Sequence, residues 1–317
     1  MRAAVVGGGV VGCACALELA RRGADVLLVE AERKLALWAS GTNSGILHTG
    51  FDSPEGELET RLILRSVALR DAALTALGVP VLRCGAVMRG APAGYPRNCV
   101  AALRDGDDLL IPGEWVTDPV AFTLGLARLA RDRGARIETG RKVTDVRELE
   151  ADVVVNAAGL GGGAFDGSFA VHPRKGEFFV FEGELDRILL PAPSPHTKGV
   201  LVFPTVEPGL VIAGPTAVDL DTPDWSVRPE AKAEVLAKAR ELLPDLGEPI
   251  ASYAGLRPAG RDGANYVIGW SPTVPALLNV GAIRSTGLSA SLGIAEHVAG
   301  LVGLRGEPWW ERAARHR

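Results

Sequence analysis

The hydrophobic pattern opens on an apolar run, Ala3 to Val6, that meets three glycines and passes at once into helical spacing from Val10 to Arg22, with Leu17 and Leu19 apolar. This reads as strand, tight turn and helix. A second apolar run closes on Glu30, Glu57 to Leu77 places Leu62, Leu69 and Leu77 at helical spacing, and Val81 to Met88 is strand-like. Residues 89–113, rich in Gly, Pro and Asp, predict loops with a short strand. Pro119 opens a helix through about Arg133, with Asp118 placed to cap it. Arg136 to Glu138 and Lys142 to Val146 predict strands, and Asp152 to Gly159 predicts a buried strand ending in small residues. Small side chains there allow a cofactor to approach closely, although a tightly packed turn would need them too.

Beyond that point the pattern changes. Glu177 to Phe181, Val200 to Phe203 and Leu210 to Ala213 predict strands of one antiparallel sheet separated by Gly/Pro turns, and Pro229 to Leu243 an amphipathic helix. Tyr253 to Arg257, Tyr266 to Ile268 and Leu277 to Val280 return to strand character, and Gly287 precedes a last helix through about Val302. The order implies an α/β nucleotide domain built from both ends of the chain, with a sheet-rich domain inserted between.

Composition narrows the class. With 317 residues and 47% hydrophobic content the chain can bury a sizeable core and has room for two domains. The formal net charge is −4 and the basic residues are scattered, so neither nucleic acid nor an anionic membrane is an expected partner. No apolar run has membrane-span length and residues 1–12 lack a signal-peptide pattern, so a cytoplasmic location is expected, with peripheral membrane contact left open. Cys13 and Cys15, two apart on a helix, point in different directions and read as small buried hydrophobes rather than a redox or metal pair. The five histidines have no metal-ligand spacing either, and no metal is expected.

The first candidate chemistry is the turn Gly7-Gly8-Gly9-Val10-Val11-Gly12. A glycine-rich turn opening a helix points backbone N–H groups at a pyrophosphate, which the helix dipole also favours. Glu30 ends the second strand, where a carboxylate accepts hydrogen bonds from a ribose diol and disfavours a 2′-phosphate. Ala31 follows it. NAD and FAD both satisfy this motif.

Ser40-Gly41-Thr42-Asn43-Ser44-Gly45-Ile46-Leu47-His48-Thr49-Gly50 comes soon after, and from Asn43 it resembles the NSG-x-x-H-x-G segment beside the flavin in FAD-dependent oxidoreductases of the D-amino-acid-oxidase superfamily. The resemblance runs from residue 3 to about 303. It includes Val154 to Gly159, Arg174 to Glu177, Gly199 to Thr205, Gly214-Pro215-Thr216, Gly255 to Pro258 and the Gly287 helix start. The similarity favours the branch of glycerol-3-phosphate dehydrogenases and oxidases together with L-2-hydroxyglutarate dehydrogenases and oxidases. The Gly199 to Thr205 and Gly214 to Thr216 segments resemble the glycerol-3-phosphate side more. Two departures are the short chain and Arg284, which stands where relatives of this branch often carry an acidic or other residue.

The resemblance implies a Rossmann-like FAD-binding domain of the glutathione-reductase type, discontinuous over 1–80, 135–165 and 250–317. An inserted antiparallel-sheet α+β substrate domain would take 81–134 and 166–249. It implies noncovalent FAD, held by Gly7, Gly9, Val10, Val11, Gly12, Glu30, Ala31, Ser40, Gly41, Asn43, Ser44, Gly45, Val143, Ala158, Gly159, Gly287, Leu288 and Ser289. Unpaired N–H groups at the start of the last helix would face the flavin pyrimidine, where negative charge gathers on reduction.

Taking a hydride from a secondary alcohol needs a base for the hydroxyl proton, and His48 is the candidate, with a structural histidine beside the cofactor as the alternative. Arg257 can offer a planar fork to a carboxylate or phosphate, and Arg284 a second charge, unless each is a scaffold ion pair. The expected substrate is glycerol 3-phosphate, oxidised to dihydroxyacetone phosphate. L-2-hydroxyglutarate or another 2-hydroxy acid, an amine or amino acid, and a non-catalytic flavin-binding subunit are the alternatives. Oxygen, a quinone and a dye-like compound all stand open as electron acceptor, because acceptor choice depends on access to the flavin face rather than on a motif.

Overall fold

A computed structural model describes residues 1–192 and 199–306. The tail 307–317, assigned above to the nucleotide domain, lies outside the described residues.

The first strand, β1 (Arg2–Val6), leads through the glycine turn into α1 (Val10–Arg21) and then β2 (Asp25–Glu30). The crossing is tight: a Cβ on Gly12 would stand 1.9 Å from the Gly7 carbonyl oxygen, and one on Gly7 would stand 2.3 Å from that of Ala157. Gly7 also has φ +111°, in the region that favours glycine. Two further helices follow, α2 (Leu58–Leu77) and α3 (Pro119–Asp132), the latter capped as expected by Asp118, whose carboxylate accepts from the N–H groups of Val120 and Ala121.

Strands β3 (Arg136–Thr139) and β4 (Val153–Asn156) join the same sheet, and later so do β7 (Val267–Trp270) and β8 (Leu277–Gly281), on either side of which lie the long strands β5 (Val171–Glu182) and β6 (Ala251–Gly260) and the last helix, α4 (Gly287–Leu301). The order is β7-β8-β4-β1-β2-β3, parallel except for β7. Helices α1, α2, α3 and α4 cover it, and Leu17, Leu19, Leu69, Phe122, Leu126 and Ile294 share one apolar core with β1, β2, β4 and β8.

Among the described residues the second sheet has nine strands, and β5, near one end of it, pairs with three of them. On one side β5 pairs antiparallel with β6 along Val171 to Val180; on the other it pairs with Leu210–Gly214. Leu201–Pro204, Ile188–Leu190 and Ala86–Met88 extend the sheet from there. The helix Ala231–Leu242 packs Val235, Leu236 and Ala239 against Phe179, Phe181 and Val202.

Several elements differ from expectation. Lys142 to Val146 is not a strand. Gly140 turns the chain away at β3, the edge of its sheet, and the N–H groups of Gly140 and Arg141 bond the carbonyls of Glu32 and Glu30. Lys142 and Val143 then line a cavity, and Val146–Leu149 forms a short 3₁₀ turn. Val81 to Met88 divides into Val81–Leu82 and Ala86–Met88, which belong to different sheets, because the chain turns at Gly85 with φ +70°. Helix α3, assigned from sequence to the inserted domain, packs on α1 in the nucleotide core, and β6, assigned to the nucleotide domain, pairs with β5. No helix among the described residues is long and apolar enough to cross a membrane.

Candidate active site

A cavity of about 1090 Å³ runs between the six-stranded and the nine-stranded sheets, from Glu30 at the end of β2 to Arg257 on β6. Its size is at the upper end for small-molecule sites. The wall gathers the N-terminus of α1 at Gly9, Val10 and Val11, with Gly7, Glu30 and Ala31 beside it, then Ser40, Asn43, Ser44 and His48, then Val143, Ala158 and Gly159, and finally Arg284, Gly287 and Leu288. Residues distant in sequence converge here because β1, β2, β4 and β8 all run parallel and end on the same side.

Four residues expected at the cofactor do not line the cavity. Gly12 lies behind the turn against Gly7, while Gly41 and Gly45 pack on the carbonyls of Ala36 and Thr117. Ser289 is buried, accepting the His48 N–H at 2.9 Å and donating to the Ile46 carbonyl, so it ties α4 to the histidine segment. Glu30 has a structural duty as well: Oε2 accepts from the Gly8 N–H at 2.5 Å and Oε1 from the Glu32 N–H at 2.8 Å. Ser40 Oγ accepts the Val10 N–H, and Asn43 Oδ1 accepts the Gly45 N–H within its own turn.

These residues fit an FAD. Two helix N-termini supply N–H groups left over from helical bonding: neither α1 nor α4 is capped by the side chain of its own N-cap residue, and in the first turn of α1 Ser40 takes only the Val10 N–H. A carboxylate stands at the end of β2, and the wall nearby is glycine and alanine, as close approach of a large cofactor requires.

His48 lies just beyond the two-residue strand Ile46–Leu47, which pairs antiparallel with Trp115–Thr117, Ile46 facing Val116 and Leu47 facing Trp115. Continuing that register sets His48 opposite Glu114. Glu114 is fully buried, and its Oε2 lies 2.7 Å from His48 Nδ1. Its Oε1 accepts both the N–H and the hydroxyl of Thr49, at 2.6 and 2.7 Å. Sequence reading missed Glu114, which lies 66 residues from its partner. Nε2 of His48 has no hydrogen-bond partner among the described residues.

Arg257 is more constrained than a free fork. Nε donates to the Arg174 carbonyl, and Nη2 donates to those of Lys175 and Thr216, at 2.9 to 3.1 Å. Among the described residues Nη1 has no partner and is left for another. Burial, with the charges of Arg174 and Arg284 adding to it, brings the guanidinium down to about 10, so it stays cationic at neutral pH. Arg284 stands 3.5 Å from Glu59, and Arg174 is paired with Asp219. Arg97, which the sequence did not single out, lines the cavity with its guanidinium 5.0 Å from the Tyr95 ring centroid. Among the described residues no carboxylate pairs with Arg97 or Arg257.

At the solvent edge of the cavity Trp38 and Trp225 meet from opposite walls. The segment bearing Trp225 is fastened to β5: Arg174 bonds Asp219, the buried Lys175 bonds Asp224 and the Ser226 carbonyl, and Arg228 bonds Glu177. Cys13 and Cys15 are buried in α1, and burial pushes the Cys13 thiol up to about 12. No group of three metal-ligating side chains occurs among the described residues.

A mostly parallel sheet with a glycine turn at its ligand edge thus faces a large, mostly antiparallel sheet across a long cavity. The DAO family model, described as FAD dependent oxidoreductase, matches residues 2–97 and 89–301, and the chain belongs to this family. It is 27% identical to a glycerol 3-phosphate dehydrogenase of Caloramator mitchellensis, over 93% of this chain and 72% of that one. It is 26% identical to the mitochondrial L-2-hydroxyglutarate dehydrogenase of Arabidopsis thaliana, over 93% and 82%. In fold it resembles the FAD-bound L-alpha-glycerophosphate oxidase from Mycoplasma pneumoniae, with a TM-score of 0.84 and 23% identity over 96% and 95% of the two chains.

Proposed function

We propose that this FAD-dependent oxidoreductase oxidises the hydroxyl-bearing carbon of a small anionic substrate, glycerol 3-phosphate foremost, giving dihydroxyacetone phosphate. The carrying observation is a histidine with one ring nitrogen on a buried carboxylate and the other, among the described residues, unpartnered, in a cavity that also holds two arginines with no carboxylate partner among those residues. Noncovalently bound FAD supplies the hydride acceptor.

On this reading His48 Nε2 takes the hydroxyl proton as the C–H bond is broken. Arg257 Nη1 and Arg97 hold the anionic end of the substrate, and Arg284, tempered by Glu59, adds to the positive field. Arg257 is suited to this because its other edge is tied to three carbonyls, so little side-chain entropy is lost when an anion arrives. The N-terminus of α4 at Gly287 and Leu288 offers N–H groups toward negative charge gathering on the reduced cofactor. The second substrate is an electron acceptor of the oxygen, quinone or dye class, and the expected location is the cytoplasm.

L-2-hydroxyglutarate is the second reading, favoured by the same cationic wall and by the Arabidopsis relative. An anaerobic bleaching screen over polyol phosphates, 2-hydroxy acids and amino acids decides between them. Rapid bleaching by glycerol 3-phosphate supports the proposal. Bleaching by amino acids alone overturns it, and bleaching by nothing assigns the chain to flavin binding without turnover. Acid precipitation should release the yellow colour; colour that stays in the pellet would rule out noncovalent attachment.

A further inference from the structure

We infer that Glu114 is a positioning residue that fixes the tautomer of His48, holding the proton on Nδ1 and leaving Nε2 as the lone-pair nitrogen. The inference rests on the proposed reading of His48 as the base.

The hydrogen-bond inventory around the carboxylate carries the argument. A backbone N–H can only donate, so Oε1 of Glu114 accepts from Thr49; the Thr49 hydroxyl donates to the same oxygen. Oε2 is left facing Nδ1 at 2.7 Å, a distance typical of a charge-assisted bond. A carboxylate is acceptor-only, so the imidazole must supply the proton, and neutral imidazole with a proton on Nδ1 has its lone pair on Nε2. When Nε2 takes a proton, the positive ring lies against a negative partner, which stabilises it. The Ser-His-Asp arrangement of hydrolases uses the same logic without proton transfer to the acid.

The surroundings hold this geometry. His48 and Glu114 face each other just past the end of two paired strands, and the buried Arg70 staples the flanking residues by bonding the carbonyls of Leu47 and Gly113. Its guanidinium lies 3.9 Å from the Trp115 ring centroid. Arg70 also sets a positive charge near Glu114, a counterweight to burying the carboxylate.

Glu114→Gln is the discriminating change, because it keeps shape while altering the donor pattern. Its amide oxygen must still accept from the Thr49 N–H, so its NH₂ group faces Nδ1 and donates to it, driving the ring proton to Nε2. The expected result is a folded protein that retains FAD, with a lower melting temperature because the buried Arg70 guanidinium loses its counter-charge. Flavin reduction by glycerol 3-phosphate should slow about 10²-fold or more, the scale of losing a general base, with the substrate Kd within about twofold of wild type.

A second measurement needs no mutation. In protein labelled with ¹⁵N-histidine, with the His48 signals assigned by their loss in His48→Ala, Nδ1 should carry the proton and Nε2 should show the shift of an unprotonated nitrogen. A proton found on Nε2 overturns the inference, even if Glu114→Gln fails to fold. Wild-type reduction in Glu114→Gln, with His48→Ala slow, overturns the role of Glu114 and leaves the reading of His48 standing. Wild-type reduction in His48→Ala removes the base itself and the inference with it.

Discussion

Trp38 and Trp225 stand with ring centroids 4.7 Å apart and planes inclined at 36°, one carried by the segment after β2 and the other by the segment between β5 and β6. Each is exposed by nearly half, at 47% and 40%, so the pair forms part of the cavity rim rather than its interior. An aromatic pair contributes about 1 kcal/mol beyond its buried area. Trp225→Ala should therefore raise the FAD dissociation rate about fivefold, read as the growth of free-flavin fluorescence after dilution. An unchanged rate would place cofactor exchange elsewhere on the cavity wall.

His48→Ala should keep FAD bound and slow anaerobic flavin reduction by about 10² to 10⁴. Stopped-flow absorbance at the flavin band measures this directly. Wild-type reduction would make His48 a structural residue bonded to Glu114 and Ser289.

Arg257→Lys tests the proposed anion site. Lysine keeps the charge but cannot reproduce the guanidinium edge that meets three carbonyls, nor present a fixed Nη1. Hydrogen bonds to charged groups contribute about 1.5–3 kcal/mol, so kcat/KM on glycerol 3-phosphate should fall about tenfold to a hundredfold. The loss on glycerol, which lacks the anion, should be smaller. Equal losses on both substrates would make Arg257 a scaffold residue.

Glu177 links acid stability to the strap that bears Trp225. Burial pushes its carboxyl up, but the Arg228 guanidinium, the Arg228 N–H and the Thr216 hydroxyl together outweigh this and hold it below the ordinary value of 4.5. A carboxyl depressed in the folded state contributes stability that is complete above its unfolded value and is lost as pH falls through its folded value. Wild-type protein should therefore lose stability steeply below about pH 4.5. Glu177→Gln should be about 1.5 kcal/mol less stable at pH 7, the low end for hydrogen bonds to a charged group because Arg228 is partly exposed and keeps Glu230 and Glu234 as partners, and show a shallower acid slope. Urea melts from pH 3 to 7 would measure both, and parallel slopes would exclude Glu177 as a source of the acid sensitivity.

The parts of the molecule legible in sequence are those set by neighbours along the chain. The glycine turn, α1 and Glu30 form one local unit, and Asp118 caps α3 from the adjacent position. Lys142 to Val146 has the composition of a strand, but a strand needs a partner, and the chain turns off at Gly140 from an edge that has none beyond it. Glu114 and Arg97 sit in or beside stretches rich in Gly and Pro that read as loops. Their meaning comes from contacts with His48 and with the cavity, which only the folded chain creates. Arg257 was visible as a cation, but the three carbonyls that fix it come from β5 and from Thr216, and no local pattern records them.

The three successive ties along β5, at Arg174, Lys175 and Glu177, bear on the timescale of access. They hold both flanks of Trp225, at Asp219 and Asp224 on one side and at Arg228 on the other. A segment pinned this way has little freedom to swing as a loop, a motion that takes nanoseconds to microseconds. Widening of the rim at this point then reduces to rotamer changes of two half-exposed indoles, which occur in picoseconds to nanoseconds. On the proposed reading, a substrate of a few carbon atoms would pass this part of the rim by such rotations alone, whereas passage of the far larger cofactor at the same point would need the strap itself to come away from β5.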